Sequence, residues 1–252
     1  MTPFALLLPA AGLGARMGAR KALLELAGQP LLVHTLRRFL PFRERLCQII
    51  VVAHPDDLAL LQERGHSTLR DEKWNVPFSV VAGGARRQDS VRAGLACLRP
   101  EAELVAIHDA VRPFVAPEAV AAALDAAEAV GAAIVAAPMK PTVKRAAGGR
   151  VLATVDRRDL WCAQTPQVFR RQLILDAYAA ADVAQPPSAV PRGAETPRPQ
   201  FEATDDAQLV ERLGRPVAIV PGSDLNLKIT TPEDLALAEA ILAHGLVPRG
   251  NP

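Results

Sequence analysis

Leu6–Leu26, LLLPAAGLGARMGARKALLEL, decides how the chain is read. An apolar run ending at Leu8 passes into a small-residue segment punctuated by Gly12 and Gly14. That segment carries Arg16, Arg20 and Lys21, and a helical pattern then resumes. A strand, a glycine-rich turn and a helix are how an α/β sheet begins. Such a turn leaves backbone N–H groups free at a helix start, which suits anions. Two familiar forms of the turn are absent. The third glycine of G-x-G-x-x-G falls on Met17, which disfavours a nicotinamide-dependent oxidoreductase, and no G-K-[ST] closes a P-loop. Two readings stay open on this segment: an anion loop charged by Arg16 and Lys21, or an ordinary turn with solvated cations.

Working outward, Phe4–Leu8 is followed by Cys47–Val52, Leu104–Ile107 and Ala132–Ala136, which are short and apolar or nearly so, as parallel strands covered on both faces should be. Between and after them lie helical stretches at Pro30–Leu40, Asp57–Gly65, Asp89–Leu98 and Pro117–Val130, the last ending at Gly131. Helix, strand and helix resume at Asp205–Leu213, Val217–Val220 and Pro232–Leu242. This alternation predicts an α/β fold with a doubly wound, mostly parallel sheet, whose ligands sit beyond the carboxyl ends of the strands. The segments in that place are PAAGLG after the first strand, AGG after Val80–Val81, and HDAVRP after Leu104–Ile107.

Two segments break the alternation. Met139–Trp161 has β-branched residues around a Gly-Gly turn and too few apolar residues for a core of its own. It reads as a hairpin-like arm that packs against a partner subunit. Residues 184–200 are proline-rich with little to bury, and read as a loop insertion in one domain spanning 1–252.

Composition narrows the function classes. The 252 residues are 50% hydrophobic and 22% charged, as in a globular protein, and the net charge of +2 supplies no global field for nucleic acid or a membrane surface. Any work on anions is therefore local. Cys47, Cys97 and Cys162 are odd in number and widely spaced, which fits a reducing compartment better than a disulfide framework. The first apolar run reads as a strand rather than a signal, and no apolar stretch is long enough to span a bilayer, so a cytoplasmic protein is expected. The five histidines show no zinc spacing, and His108 reads as a packing or orienting residue.

The chemistry-bearing residues cluster at strand ends. Asp109 is placed where a carboxylate can hold Mg²⁺ bridging phosphate oxygens, and Arg112 can fork a second phosphate. The plainer alternative is a carboxylate paired with its neighbouring arginine. Lys144, Arg157 and Lys228 add cations beside extended or loop positions. Cations gathered around a carboxylate suit a nucleoside triphosphate site, because phosphoryl and nucleotidyl transfer demand positioning and charge neutralisation. Ser90, at a helix start in RRQDSV, reads as an N-cap or a base contact rather than a nucleophile.

PAAGLGARMG, GGARRQDSVRAGL, HDAVRPF, TVKR, TVDRRDLWCAQTPQVF, TDDAQLVE and LNLKITTPEDLALAE follow in order from about Leu6 to Leu242. Together they resemble the 2-C-methyl-D-erythritol 4-phosphate cytidylyltransferase family. The resemblance implies a Rossmann-like core, a protruding β-arm at 139–161 that forms a homodimer, and Mg²⁺ as the divalent cation. It implies CMP transfer from CTP to the phosphate of methylerythritol phosphate, with release of pyrophosphate, in isoprenoid precursor synthesis. Residue by residue, Arg16 and Lys21 match the pair that stabilises the pentacovalent α-phosphate. Pro9, Ala10, Ala11, Gly12 and Gly14, with Gly84 and Ser90, match the nucleotide pocket, and Asp109 matches the acidic residue near ribose and metal. Arg112, Thr142 and Arg157 match contacts to the polyol phosphate, and Lys228 matches the lysine that positions the attacking phosphate.

The chain departs from the family pattern at Ala85, where an acidic residue is common, at ARKAL around Lys21, and in the proline-rich insertion. Ribitol-5-phosphate cytidylyltransferases share HDAVRPF and QTPQ, but RRQDSV and TVDRRDLW favour methylerythritol phosphate. A catalytically silent nucleotide-binding subunit is disfavoured by the presence of Arg16, Lys21, Asp109, Arg157 and Lys228 together.

Overall fold

The computed structural model describes residues 1–12, 23–183 and 203–247. Gly14, Arg16, Lys21 and the expected insertion at 184–200 lie outside the described residues. The chain opens with β1 (Phe4–Pro9), then a short ribbon of β2 (Glu25–Leu26) and β3 (Gln29–Pro30) that leads into α1 (Leu31–Arg37). Next come β4 (Leu46–Ala53), α2 (Leu58–Asp71), β5 (Phe78–Ala82), α3 (Arg87–Leu95), β6 (Leu104–Ile107), α4 (Pro117–Val130) and β7 (Ala132–Pro138). The arm is β8 (Val143–Ala147) and β9 (Arg150–Val155), followed by β10 (Trp161–Arg170), α5 (Arg171–Val183), α6 (Ala207–Arg212), β11 (Ala218–Pro221) and α7 (Pro232–Ala243).

Seven of the described strands form one sheet in the order β11-β7-β10-β6-β1-β4-β5. β1 is parallel to β4 and β6, β4 to β5, and β7 to β11, whereas β10 runs antiparallel to both its neighbours. The fold is thus the expected α/β, Rossmann-like sheet. Its two cores follow from the two-residue period of a strand. Phe4, Leu6 and Leu8 face one layer with Leu32, Leu36, Leu61 and Leu124, while Leu7 faces the other with Val91, Leu95 and Tyr178. α3 lies close against the sheet at Gly94, where a Cβ would come within 2.6 Å of Leu7 Cδ1. α4 begins with Pro117 in its first turn and ends on Gly131 at φ +107, a left-handed position that glycine occupies without steric cost.

The arm forms as expected. Gly148 and Gly149, at φ +55 and +73, make the turn between β8 and β9, where a two-residue hairpin loop requires positive φ twice. α2 runs past its expected end at Gly65 to Asp71, and α3 stops short of Leu98 at Leu95.

β10 and α5 are not foreseen by the apolar pattern. WCAQTPQVFR contains no continuous apolar run, yet Gln164–Phe169 is buried. Its polar side chains are satisfied in place. Gln167 Oε1 accepts from the Asp206 and Ala207 N–H groups, both at 3.1 Å, and its Nε2 donates to Asp205 at 2.8 Å. A buried polar strand is tolerated when each group finds a partner. Among the described residues, no helix is long and apolar enough to cross a membrane.

Candidate active site

The carboxyl ends of β1, β4, β5 and β6 surround a cleft of about 570 Å³. The segments after β1 and β5 continue the parallel pairing, with Ala10 N–H donating to the Val52 carbonyl at 2.6 Å and Gly83 N–H to the Ala53 carbonyl at 2.8 Å. This brings the backbone of Pro9–Gly12 opposite Gly83–Ala85. The approach needs Gly83, because a Cβ there would lie 2.5 Å from Ala11 Cβ and 2.7 Å from Ser90 Oγ. The expected nucleotide residues Pro9, Ala10, Ala11, Gly12, Gly84, Ser90 and Asp109 all line this one cleft.

Ser90 is not the N-cap of α3. Arg86 holds that position, and Asp89 closes the first turn by accepting from the Arg86 N–H at 3.3 Å. The carboxylate reaches back to the cap better than a hydroxyl in the second turn. Ser90 Oγ instead accepts from Gly84 N–H at 3.2 Å and so fixes the cleft wall.

The HDAVR segment after β6 forms the centre. Asp109 is buried, and its Oδ2 meets Lys228 Nζ at 2.9 Å and Arg112 Nε at 3.1 Å. Its Oδ1 has Arg87 Nε at 3.9 Å, beyond hydrogen-bond distance. Burial alone would raise the Asp109 pKa, but Lys228, Arg87 and Arg112 together hold it far below the ordinary carboxylate range. The plainer reading of Asp109 as the partner of Arg112 is therefore also present, as one contact within a larger cluster.

A buried hydrogen-bond chain fixes this segment from behind. His108 Nε2 lies 3.0 Å from the Arg112 carbonyl, so it carries the proton and donates. His108 Nδ1 then accepts from the Thr165 hydroxyl at 3.0 Å, and Thr165 Oγ1 accepts from Asp109 N–H at 3.1 Å. His108 is an orienting residue, as expected. Burial pushes its imidazole down from 6.5 to about 4, against the opposing pull of the Arg112 carbonyl and Asp109. Below pH 6.5 the unfolded chain takes up a proton that the folded chain refuses until about pH 4. Stability therefore falls with decreasing pH across that window, by about 3 kcal/mol in all. A His108→Gln variant should show a flatter pH dependence in urea unfolding between these limits. Identical slopes would show that His108 is not held neutral.

Arg112 reaches the other way, donating from Nη1 to the Asn226 carbonyl at 2.7 Å. It lines a second cleft of about 250 Å³ with Lys140, Gln164 and Asn226, and Lys228 lines both clefts. Thr142 and Arg157 line neither. Both are exposed on the arm, where Arg157 Nη1 donates to the Lys140 carbonyl and Lys144 Nζ to Thr154 Oγ1 at 2.6 Å.

Arg87, Thr165 and Asn226 belong to the site although residue spacing did not single them out. Each stands inside a segment that carries the family resemblance (RRQDSV, QTPQ and LNLK), but their roles depend on contacts across the sheet. Among the described residues, no group of three or more His, Cys, Asp or Glu could hold a metal ion. The carboxylate present, Asp109, fits a cation that takes its other ligands from phosphate oxygens, which is how Mg²⁺ usually binds.

The family model of 2-C-methyl-D-erythritol 4-phosphate cytidylyltransferase matches residues 4–244. The enzyme of that name from Syntrophus aciditrophicus is 42% identical over 239 residues, covering 94% of both chains. The crystal structure of 4-diphosphocytidyl-2C-methyl-D-erythritol synthase from Anaerococcus prevotii superposes with a TM-score of 0.77 at 32% identity, covering 96% of each chain. That of 2-C-methyl-D-erythritol 4-phosphate cytidylyltransferase from Thermus thermophilus gives 0.72 at 32% identity, covering 96% of this chain and 99% of that one. The match runs along almost the whole sequence, and the chain belongs to the 2-C-methyl-D-erythritol 4-phosphate cytidylyltransferase family and is a cytidylyltransferase.

Proposed function

We propose that the two clefts divide the family's reaction between them, with CTP in the larger and methylerythritol phosphate in the smaller. The observation that carries this reading is Lys228, which lines both clefts and touches Asp109 between them. A phosphate oxygen of the polyol phosphate attacks the α-phosphorus of CTP, that bond forms, and the bond to pyrophosphate breaks. Lys228 and Arg112 draw the attacking phosphate in, while Arg16 and Lys21 neutralise charge that builds on the α-phosphate oxygens. Asp109 Oδ1 is the atom that would hold Mg²⁺, whose contribution is further neutralisation of phosphate charge. The product serves isoprenoid precursor synthesis in the cytoplasm, a compartment supported by the three unpaired cysteines.

The working form is a homodimer through the arm. Val151 and Leu152 are 65% and 62% exposed there, and Trp161 at its base is 40% exposed, an apolar surface on a ribbon with no core. Thr142 and Arg157 then serve the partner's site.

Pyrophosphate release with CTP and methylerythritol phosphate tests the reading, and turnover of ribitol 5-phosphate instead would replace it. CTP should be preferred to UTP by about fivefold to 150-fold. Backbone groups at Ala10–Gly12 and Gly83–Ala85 can match cytosine, and a uracil edge leaves a buried polar group unpaired at about 1–3 kcal/mol. Equal turnover of UTP would show that Ala85 has relaxed the selectivity.

A further inference from the structure

Asp206 and Tyr178 line neither cleft, yet they govern a cation that does. Asp206 is 1% exposed, and its Oδ2 accepts from Arg87 Nη2 at 2.7 Å. Its Oδ1 accepts from the Tyr178 hydroxyl at 2.6 Å, and its backbone N–H is held by Gln167 at 3.1 Å. Tyr178 is itself buried, with the Arg92 guanidinium 5.7 Å above its ring. Arg87 therefore stands between two carboxylates and leans on the one outside the cleft, with Asp206 at hydrogen-bond distance and Asp109 at 3.9 Å. Burial would lower the Arg87 pKa, but Asp206 outweighs it and the guanidinium stays charged.

The distribution of contacts on Asp109 shows what this arrangement does. Its Oδ2 is already engaged by Lys228 and Arg112. If Arg87 moved about 1 Å closer, Oδ1 would be engaged as well, because a charge-assisted pair closes to about 2.7–2.9 Å. We propose that Asp206, steadied by Tyr178, is a positioning residue of the nucleotide site: it holds Arg87 off Asp109 and keeps Asp109 Oδ1 open to the cation that accompanies the bound nucleotide. The inference rests on the larger cleft being the CTP site.

Calorimetric titration of the full chain with CTP and Mg²⁺, alongside steady-state kinetics, tests it. Asp206→Asn should weaken CTP binding about tenfold and raise the KM for CTP, with the KM for methylerythritol phosphate unchanged. In an Arg87→Gln background the same change should add nothing, since Asp206 acts through Arg87. Unchanged CTP affinity, additive losses in the double variant, or a parallel rise of both KM values would each overturn the proposal. If Asp206→Asn does not melt cooperatively, Tyr178→Phe decides in its place. It keeps the buried charge and the ring, and should weaken CTP binding by about threefold, less than the full worth of the charge-assisted bond it removes because Asp206 still holds Arg87; no weakening would overturn the proposal. Failure of the underlying reading looks different, because the unaltered protein would then not bind CTP at all.

Discussion

Lys228→Ala is expected to lower kcat by about 10²–10³-fold while changing CTP affinity far less, the usual cost of losing one well-placed donor to developing charge. The fold should survive, since the buried Asp109 keeps Arg112 at 3.1 Å and Arg87 at 3.9 Å after the ammonium is gone. The loss therefore falls on the transfer step. The larger cleft is otherwise intact, but the attacking phosphate keeps Arg112 and loses the cation that stands between the two clefts. Lys21→Ala should fall in the same range if, as proposed, its charge acts on the α-phosphate rather than on the nucleophile. Single-turnover measurements with rapid quenching separate chemistry from binding. A variant with unchanged kcat and a raised KM would show that Lys228 contributes equally to ground state and transition state, which removes it from the transfer step.

The second large effect concerns the arm. Arg157→Ala and Lys21→Ala chains should each be nearly inactive as homodimers, yet recover activity when mixed and allowed to exchange subunits. If Arg157 serves the partner's site, a mixed dimer carries both lesions in one site and none in the other, so about half of the unaltered activity returns per mixed dimer. Arg157 and Thr142 stand on an exposed ribbon and line neither cleft of their own chain, which makes this the expected symmetry. No recovery after proven exchange would show that Arg157 acts in its own subunit.

The elements legible from residue order are those whose signal is local. β1, β4, β6 and β7 are continuous or nearly continuous apolar runs, because both of their faces are covered. α4 announces its limits with Pro117 and Gly131, and the arm announces its turn with Gly148 and Gly149. Asp109 was legible for the same reason: a carboxylate directly after a buried strand sits where an α/β sheet opens.

What residue order left open are contacts whose partners lie far apart along the chain. Nothing in WCAQTPQVFR marks β10 as the strand between β6 and β7, since its polar groups become acceptable only when residues 205–207 arrive to bond Gln167. Lys228 meets Asp109, and Asp206 meets Arg87, each across 119 positions of sequence. Periodicity reports which face of an element is buried, so the sequence by itself determined the apolar strands, most of their helices and the strand end that carries the carboxylate. Which cations meet there depends on strand order, and strand order is chosen by burial and hydrogen bonding summed over the whole sheet; only the tertiary structure decided it.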